Sequence, residues 1–144
     1  LPIVILRDKD GSRVLPIWVG VAEANAIALQ IENVATPRPM THDLLRNVIY
    51  DLQAGIDKVV VCDLKENTFY AMIYLSVNGE AVAVDARPSD AIALALRAKA
   101  PIFVEDRVID EAKTTDFAPD KENAERLEKW LESLDPEDLG KYKM

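Results

Sequence analysis

Two short segments concentrate the side chains able to act on a phosphate group: Arg38-Pro39-Met40-Thr41-His42-Asp43 and Arg87-Pro88-Ser89-Asp90. Each places an arginine before a proline at a helix start and follows it with a hydroxyl and an acid. A helix amino terminus offers unpaired N–H groups and a partial positive charge, and an arginine beside it can grip two phosphate oxygens at once. Arg38, Thr41, Arg87 and Ser89 are therefore the candidate substrate-binding groups. Asp85 precedes the second segment and Asp90 lies within it; with Asp43 they supply oxygen ligands suited to magnesium or manganese. His42 is the single histidine of the chain and the candidate proton carrier. With Asp85 and Asp90 as its acidic partners, the implied chemistry is metal-assisted phosphodiester hydrolysis, in which a cation polarises a phosphoryl oxygen and acidifies a water.

Helix stability alone also accounts for several of these residues. Pro88 suits a first helical position, Ser89 and Asp90 a first turn, and Thr41 a cap. Arg87 can equally hold Asp85 or Glu23 in an ion pair. Cys62, the lone cysteine, lies in a strand and reads as a small buried residue rather than a nucleophile. Trp18, Phe69 and Tyr70 also fall in strands and read as core, with Phe69 and Tyr70 facing opposite ways so that one of them can emerge. The five glycines form no phosphate loop or dinucleotide fingerprint, which argues against a nucleotide-dependent kinase or dehydrogenase.

The net charge of −8 opposes an unassisted nucleic-acid binder, because phosphate binding is ordinarily driven by clustered Lys and Arg. A phosphate substrate would need local arginines, helix termini or a divalent cation. One cysteine, no metal-binding Cys/His spacing, no membrane-length apolar run and no signal peptide together indicate a cytoplasmic protein. The chain opens on Leu1-Pro2 and runs directly into strand-like residues, so residues upstream are expected.

The elements that must carry these side chains follow from pattern. Ile3 to Leu6 and Val14 to Val19 read as a hairpin across an Asp-Gly turn, and Ala24, Ile27, Ala28 and Ile31 as one face of a first helix. Leu44, Leu45, Val48, Ile49 and Leu52 mark a second helix that begins at Thr41 and is expected to cover a sheet face. Strands follow over Lys58 to Cys62, Thr68 to Val77 and Ala81 to Ala86, the last two joined by Asn78-Gly79. A third helix from Pro88 is apolar on every side across Ala91 to Leu96, so another layer or subunit should enclose it. Pro101 to Val104 forms a last strand. Setting Asn25 against Asp90 aligns Ala26-Ile27-Ala28-Leu29 with Ala91-Ile92-Ala93-Leu94, which reads as an internal duplication of a hairpin-strand-helix unit. The fold class is α+β, with a mostly antiparallel or mixed sheet packed with helices. A C-terminal amphipathic helix over 120–134, striped by Leu127, Trp130, Leu131 and Leu134, either packs back on the domain or docks on a partner subunit.

Four motifs in this order, Leu15-Pro16-Ile17-Trp18-Val19-Gly20, Arg38 to Leu45, Asn67-Thr68-Phe69-Tyr70-Ala71 and Asp85 to Ile92, resemble the bifunctional nuclease family. The resemblance covers the chain to about Val108. It divides the sequence into a domain over 1–108, with one further strand implied upstream, and an acidic extension over 109–144. It implies an α+β fold that self-associates, most simply as a dimer, and hydrolysis of both DNA and RNA, with His42, Asp85, Arg87 and Asp90 at matching motif positions. A non-catalytic oligomeric module that binds an anionic ligand or a protein partner through the same helix ends is the alternative.

Overall fold

The computed structural model describes residues 1–114, and the amphipathic segment over 120–134 lies outside them. Strands β1 (Ile3–Arg7) and β2 (Val14–Trp18) form an antiparallel two-stranded sheet. Their turn is closed by aspartates: Asp10 Oδ1 accepts the Ser12 N–H and Asp8 Oδ1 the Arg13 N–H, both at 2.9 Å. Helices α1 (Val21–Ile31) and α2 (Thr41–Asp51) follow, separated by the proline-bearing linker. Strands β3 (Gly55–Lys65), β4 (Thr68–Val77) and β5 (Glu80–Ala86) run as an antiparallel meander. Asn78 and Gly79 turn the second hairpin with φ of 53° and 81°, a left-handed pair that asparagine and glycine adopt most readily. Helix α3 (Pro88–Ala98) then leads to β6 (Ile102–Val104), which joins β3 in parallel to give the order β5-β4-β3-β6, and to α4 (Asp106–Thr114). This is an α+β fold. The order hairpin then helix occurs twice, as β1-β2-α1 and β4-β5-α3.

Helix α3 is the hub. Ala91, Ile92, Ala93, Leu94 and Ala95 are each at most 1% exposed, the condition that an all-round apolar helix demands. Ile92 and Ala93 join the core of the first hairpin with Val4, Ile17 and Ile27, whereas Ala91, Leu94 and Ala95 join Val59, Ala71 and Ile73 of the large sheet. The enclosure comes from within the chain: α1 packs on one side, α2 on another, and β3 and β4 lie beneath.

Three expectations are corrected. Helix α2 does not lay its apolar stripe on a sheet. It packs chiefly on α3 through Ile49, and Leu44, Leu45, Val48 and Leu52 are exposed. Trp18 is exposed because Leu15 and Ile17 take the inward positions of β2 and the two-residue alternation turns Trp18 outward. Phe69 is buried and Tyr70 exposed, as their parity requires. Lastly, α4 crosses the 108/109 boundary drawn from the sequence, with Val108 fully buried and Ala112 packed on the same cluster, so the compact unit continues through this helix. Among the described residues no helix is long and apolar enough to cross a membrane.

Candidate active site

The first turns of α1, α2 and α3 are tied together by one chain of polar contacts. Pro88 occupies the first position of α3, where its missing N–H is harmless, and Arg87 holds the capping position with extended backbone. From there Arg87 Nε donates to Asp90 Oδ2 at 2.8 Å and an Nη2 hydrogen to Glu23 Oε1 of α1 at 2.7 Å. Asp90 Oδ1 lies 2.9 Å from Nε2 of His42 on α2. A Cβ at Gly20 would collide with the Glu23 carboxylate, so a glycine at the entry to α1 leaves room for this arrangement.

Charge is settled within that set. Burial, the largest influence on Asp90, pushes its carboxyl upward, but Arg87 and His42 together outweigh it and hold the group below the usual carboxylate range. Glu23 is held low by a backbone N–H and by Arg87, and Arg87 is held high by Asp90 first and Glu23 second. An ionised Asp90 can only accept, so Nε2 of His42 donates in this contact and Nδ1 is the ring nitrogen that it leaves over. His42 is buried and α2 presents no other buried residue. A hydrogen-bonded carboxylate orienting an imidazole is the arrangement that fixes a general base.

One residue further along α2, Asp43 serves a different partner. Its Oδ2 accepts the Met40 N–H at 2.9 Å, and its Oδ1 accepts Nε of Arg97 at 2.7 Å. Arg97, with a side chain only 2% exposed, also donates to the carbonyls of Ala93 and Ala26, both at 2.9 Å. Desolvation raises the Asp43 carboxyl most, yet the Met40 amide and Arg97 bring the balance below the ordinary value. Arg97 did not stand out in the sequence. Its signal was a charge directly following the apolar run Ala91 to Leu96, which demands a buried partner.

The remaining candidates disperse. Asp85 pairs with Met72 in β5, next to Ala86, which faces the α3 side. Alternation therefore sends Asp85 to the opposite face of the sheet from Asp90. Ser89 is buried, and Thr41 is exposed as the first residue of α2, with Met40 in the capping position expected for Thr41. Arg38 is exposed on the linker and lines a cleft beside α2. The proposed ligands Asp43, Asp85 and Asp90 are not gathered: two are bonded to different arginines and the third lies across the sheet. Among the described residues no three His, Cys, Asp or Glu side chains stand together as a ligand set. Burial, the largest influence on Cys62, raises its thiol, which suits a structural cysteine.

Comparison with known proteins agrees with this geometry in extent. An uncharacterized protein of Mycobacterium tuberculosis is 41% identical over 96% of this chain and 88% of its own length. Bifunctional nuclease 1 of Arabidopsis thaliana is 30% identical over 82% of this chain, and Bifunctional nuclease 1 of Oryza sativa subsp. japonica 28% over 73%. The aligned regions span 40% and 33% of those two plant proteins. The profile of the bifunctional nuclease domain matches residues 4–116, taking in both hairpins, all four helices and every member of the linked set. The chain belongs to the bifunctional nuclease domain family.

Proposed function

We propose that this protein hydrolyses phosphodiester bonds in DNA and RNA. The observation that supports the reading is the meeting of three helix first turns on one linked set, His42, Asp90, Arg87 and Glu23. Helix amino ends favour an anion, and Arg87 has a largely exposed side chain whose Nη1 is left for a phosphate oxygen. In this reading water attacks phosphorus, its proton passes to Nδ1 of His42, and the bond from phosphorus to the departing sugar oxygen breaks as that oxygen takes up a proton from a second solvent water, whose hydroxide is neutralised by the proton His42 then releases. Asp90 holds the imidazole in the tautomer the step requires.

A magnesium or manganese ion belongs to the proposal because an acidic chain must neutralise a polyanion. Magnesium is commonly held by one or two carboxylates together with substrate phosphates, so a ligand set complete before substrate arrives is not needed. The expected result is cleavage of labelled single-stranded DNA and RNA with either metal, loss of cleavage in excess chelator, and a decline with rising salt. Full activity in chelator removes the metal. A folded protein that cleaves neither strand under any of these conditions leaves the non-catalytic anion-binding module in its place.

Self-association forms part of the same reading. The uncovered stripe of α2 and the exposed Val82 and Val84 of the edge strand β5 are large apolar surfaces of the kind that mark interfaces. A dimer is expected on sizing, and Leu44→Glu combined with Val48→Glu should dissociate it. A parent protein that runs as a monomer overturns this assignment.

A further inference from the structure

Beside the His42–Asp90 pair, around the first turn of α2, lies an open cleft of about 320 Å³. Leu29 and Gln30 at the end of α1, the linker through Arg38 and Met40, and Asp43 and Arg46 of α2 line it, with Arg97 also on its wall. Three arginines therefore face one carboxylate. Arg97 is committed to Asp43 and two carbonyls, and Asp43 has both oxygens engaged. The other two arginines are different. Among the described residues Arg46 hydrogen-bonds only to the neutral amide oxygen of Asn47, at 3.2 and 3.1 Å, while its charge helps to hold the nearby Asp43 carboxyl low, and the Arg38 side chain enters no hydrogen bond or ion pair.

Arg7 apart, whose Nε is buried without a partner, the other described arginines are ion-paired. Arg13, Arg87 and Arg107 each face carboxylates, as a chain of net charge −8 makes easy. Two guanidinium groups that enter no ion pair among the described residues, in a cleft where Asp43 is already bonded to Arg97, form a local positive focus. The cleft is not purely polar. Val34 and Met40, 49% and 45% exposed, stand on the same wall and offer an apolar surface that a simple anion does not require. The volume lies at the lower end of small-ligand sites, which start at about 300 Å³.

We propose that this cleft binds one nucleotide unit of a nucleic-acid strand, its phosphate between Arg38 and Arg46 and its base against Val34 and Met40. The source of the ligand rests on the nuclease reading above. Its chemistry, a phosphate joined to a flat apolar ring, rests on the cleft. Adjacent residues of a helix point about 100° apart, so His42 and Asp43 place the catalytic pair and the cleft on neighbouring sides of one helical turn. A strand seated in the cleft is thereby carried past His42, which gives an acidic protein a hold on a polyanion.

The test is binding rather than turnover. Thymidine 5′-monophosphate and, separately, inorganic phosphate are titrated by calorimetry into the parent, Arg38→Ala and Arg46→Ala proteins without metal. The nucleotide should bind the parent, and each arginine variant should bind it about tenfold more weakly, the loss of one charge-assisted contact. Arg38 is exposed, so its variant stays folded; Arg46→Lys keeps the aliphatic stem and charge and should recover part of the affinity. Inorganic phosphate should bind more weakly than the nucleotide. Equal binding of the two overturns the nucleotide assignment, and arginine variants that bind like the parent, or a parent that binds neither, overturn the cleft. Nucleotide binding without any cleavage of DNA or RNA sinks only the nuclease reading, whereas cleavage with no loss of binding in the arginine variants sinks only this one.

Discussion

Under the proposed function, His42→Ala should lower cleavage of labelled single-stranded DNA and RNA by about 10²–10⁴-fold, the range expected when a positioned proton carrier is removed. The size of the effect follows from the geometry. The imidazole is buried at the start of α2, and its Nε2 is held 2.9 Å from an ionised Asp90. No other histidine exists to replace it. Asp90→Asn should cost less than His42→Ala, because an amide keeps a hydrogen-bonding partner for Nε2 while losing the charge that stabilises the protonated ring. Both variants are purified in parallel with the parent, and their circular dichroism spectra and melting curves show whether the fold is retained. Parent and variants with the same trace cleavage would mean that His42 is not the base and that the activity comes from a contaminant.

Asp43→Ala destabilises the protein by about 3 kcal/mol, the lower end of what breaking a buried ion pair costs, since it strands a charge rather than deleting a pair. The guanidinium left behind is Arg97, whose side chain is 2% exposed while that of Asp43 is 20% exposed. Two carbonyls still accept from Arg97, which is why the lower end applies. The loss depends on pH in a defined direction. The Asp43 carboxyl is held below its ordinary value in the folded protein, so its contribution is complete above the unfolded value near 3.8 and disappears as pH falls through the folded one. Urea unfolding at neutral pH should separate parent from Asp43→Ala, and the separation should narrow in strong acid. Equal midpoints at neutral pH would mean that Arg97 finds another partner without loss.

The hairpins were legible because their turns carry chemistry that few other residues supply: Asp10-Gly11 and Asn78-Gly79 each contain a residue at positive φ. The start of α3 was legible for a similar reason, since Pro88 declares its own position. Helix α4 was not, because its apolar content is Val108, Ile109 and Ala112 amid six residues of which five are charged, too narrow a stripe to stand out. Periodicity found the apolar face of α2 but could not say what lies against it, and the structure leaves most of that face open. At the site, His42, Arg87 and Asp90 were visible as motif residues, and the structure adds that they touch. Glu23 joins them from α1: the sequence left Asp85 and Glu23 as equal partners for Arg87, and the structure pairs it with Glu23. Asp85 shows the limit from the other side. It is five residues from Asp90, yet one strand position decides which face of the sheet it occupies.

The placement of α3 bears on how the molecule opens. A helix with one apolar face can tolerate the departure of a neighbour from its wet side, but α3 has no wet side across Ala91–Ala95. Losing α1 would uncover Ile92 and Ala93, and losing α2 would uncover part of the surface shared with Leu94 and Ala95. Local opening of either flanking helix therefore exposes apolar surface of α3 to water, which couples both helices to α3. The contacts among His42, Asp90, Arg87 and Glu23 span these three helices, so their alignment depends on both flanking helices remaining packed on α3.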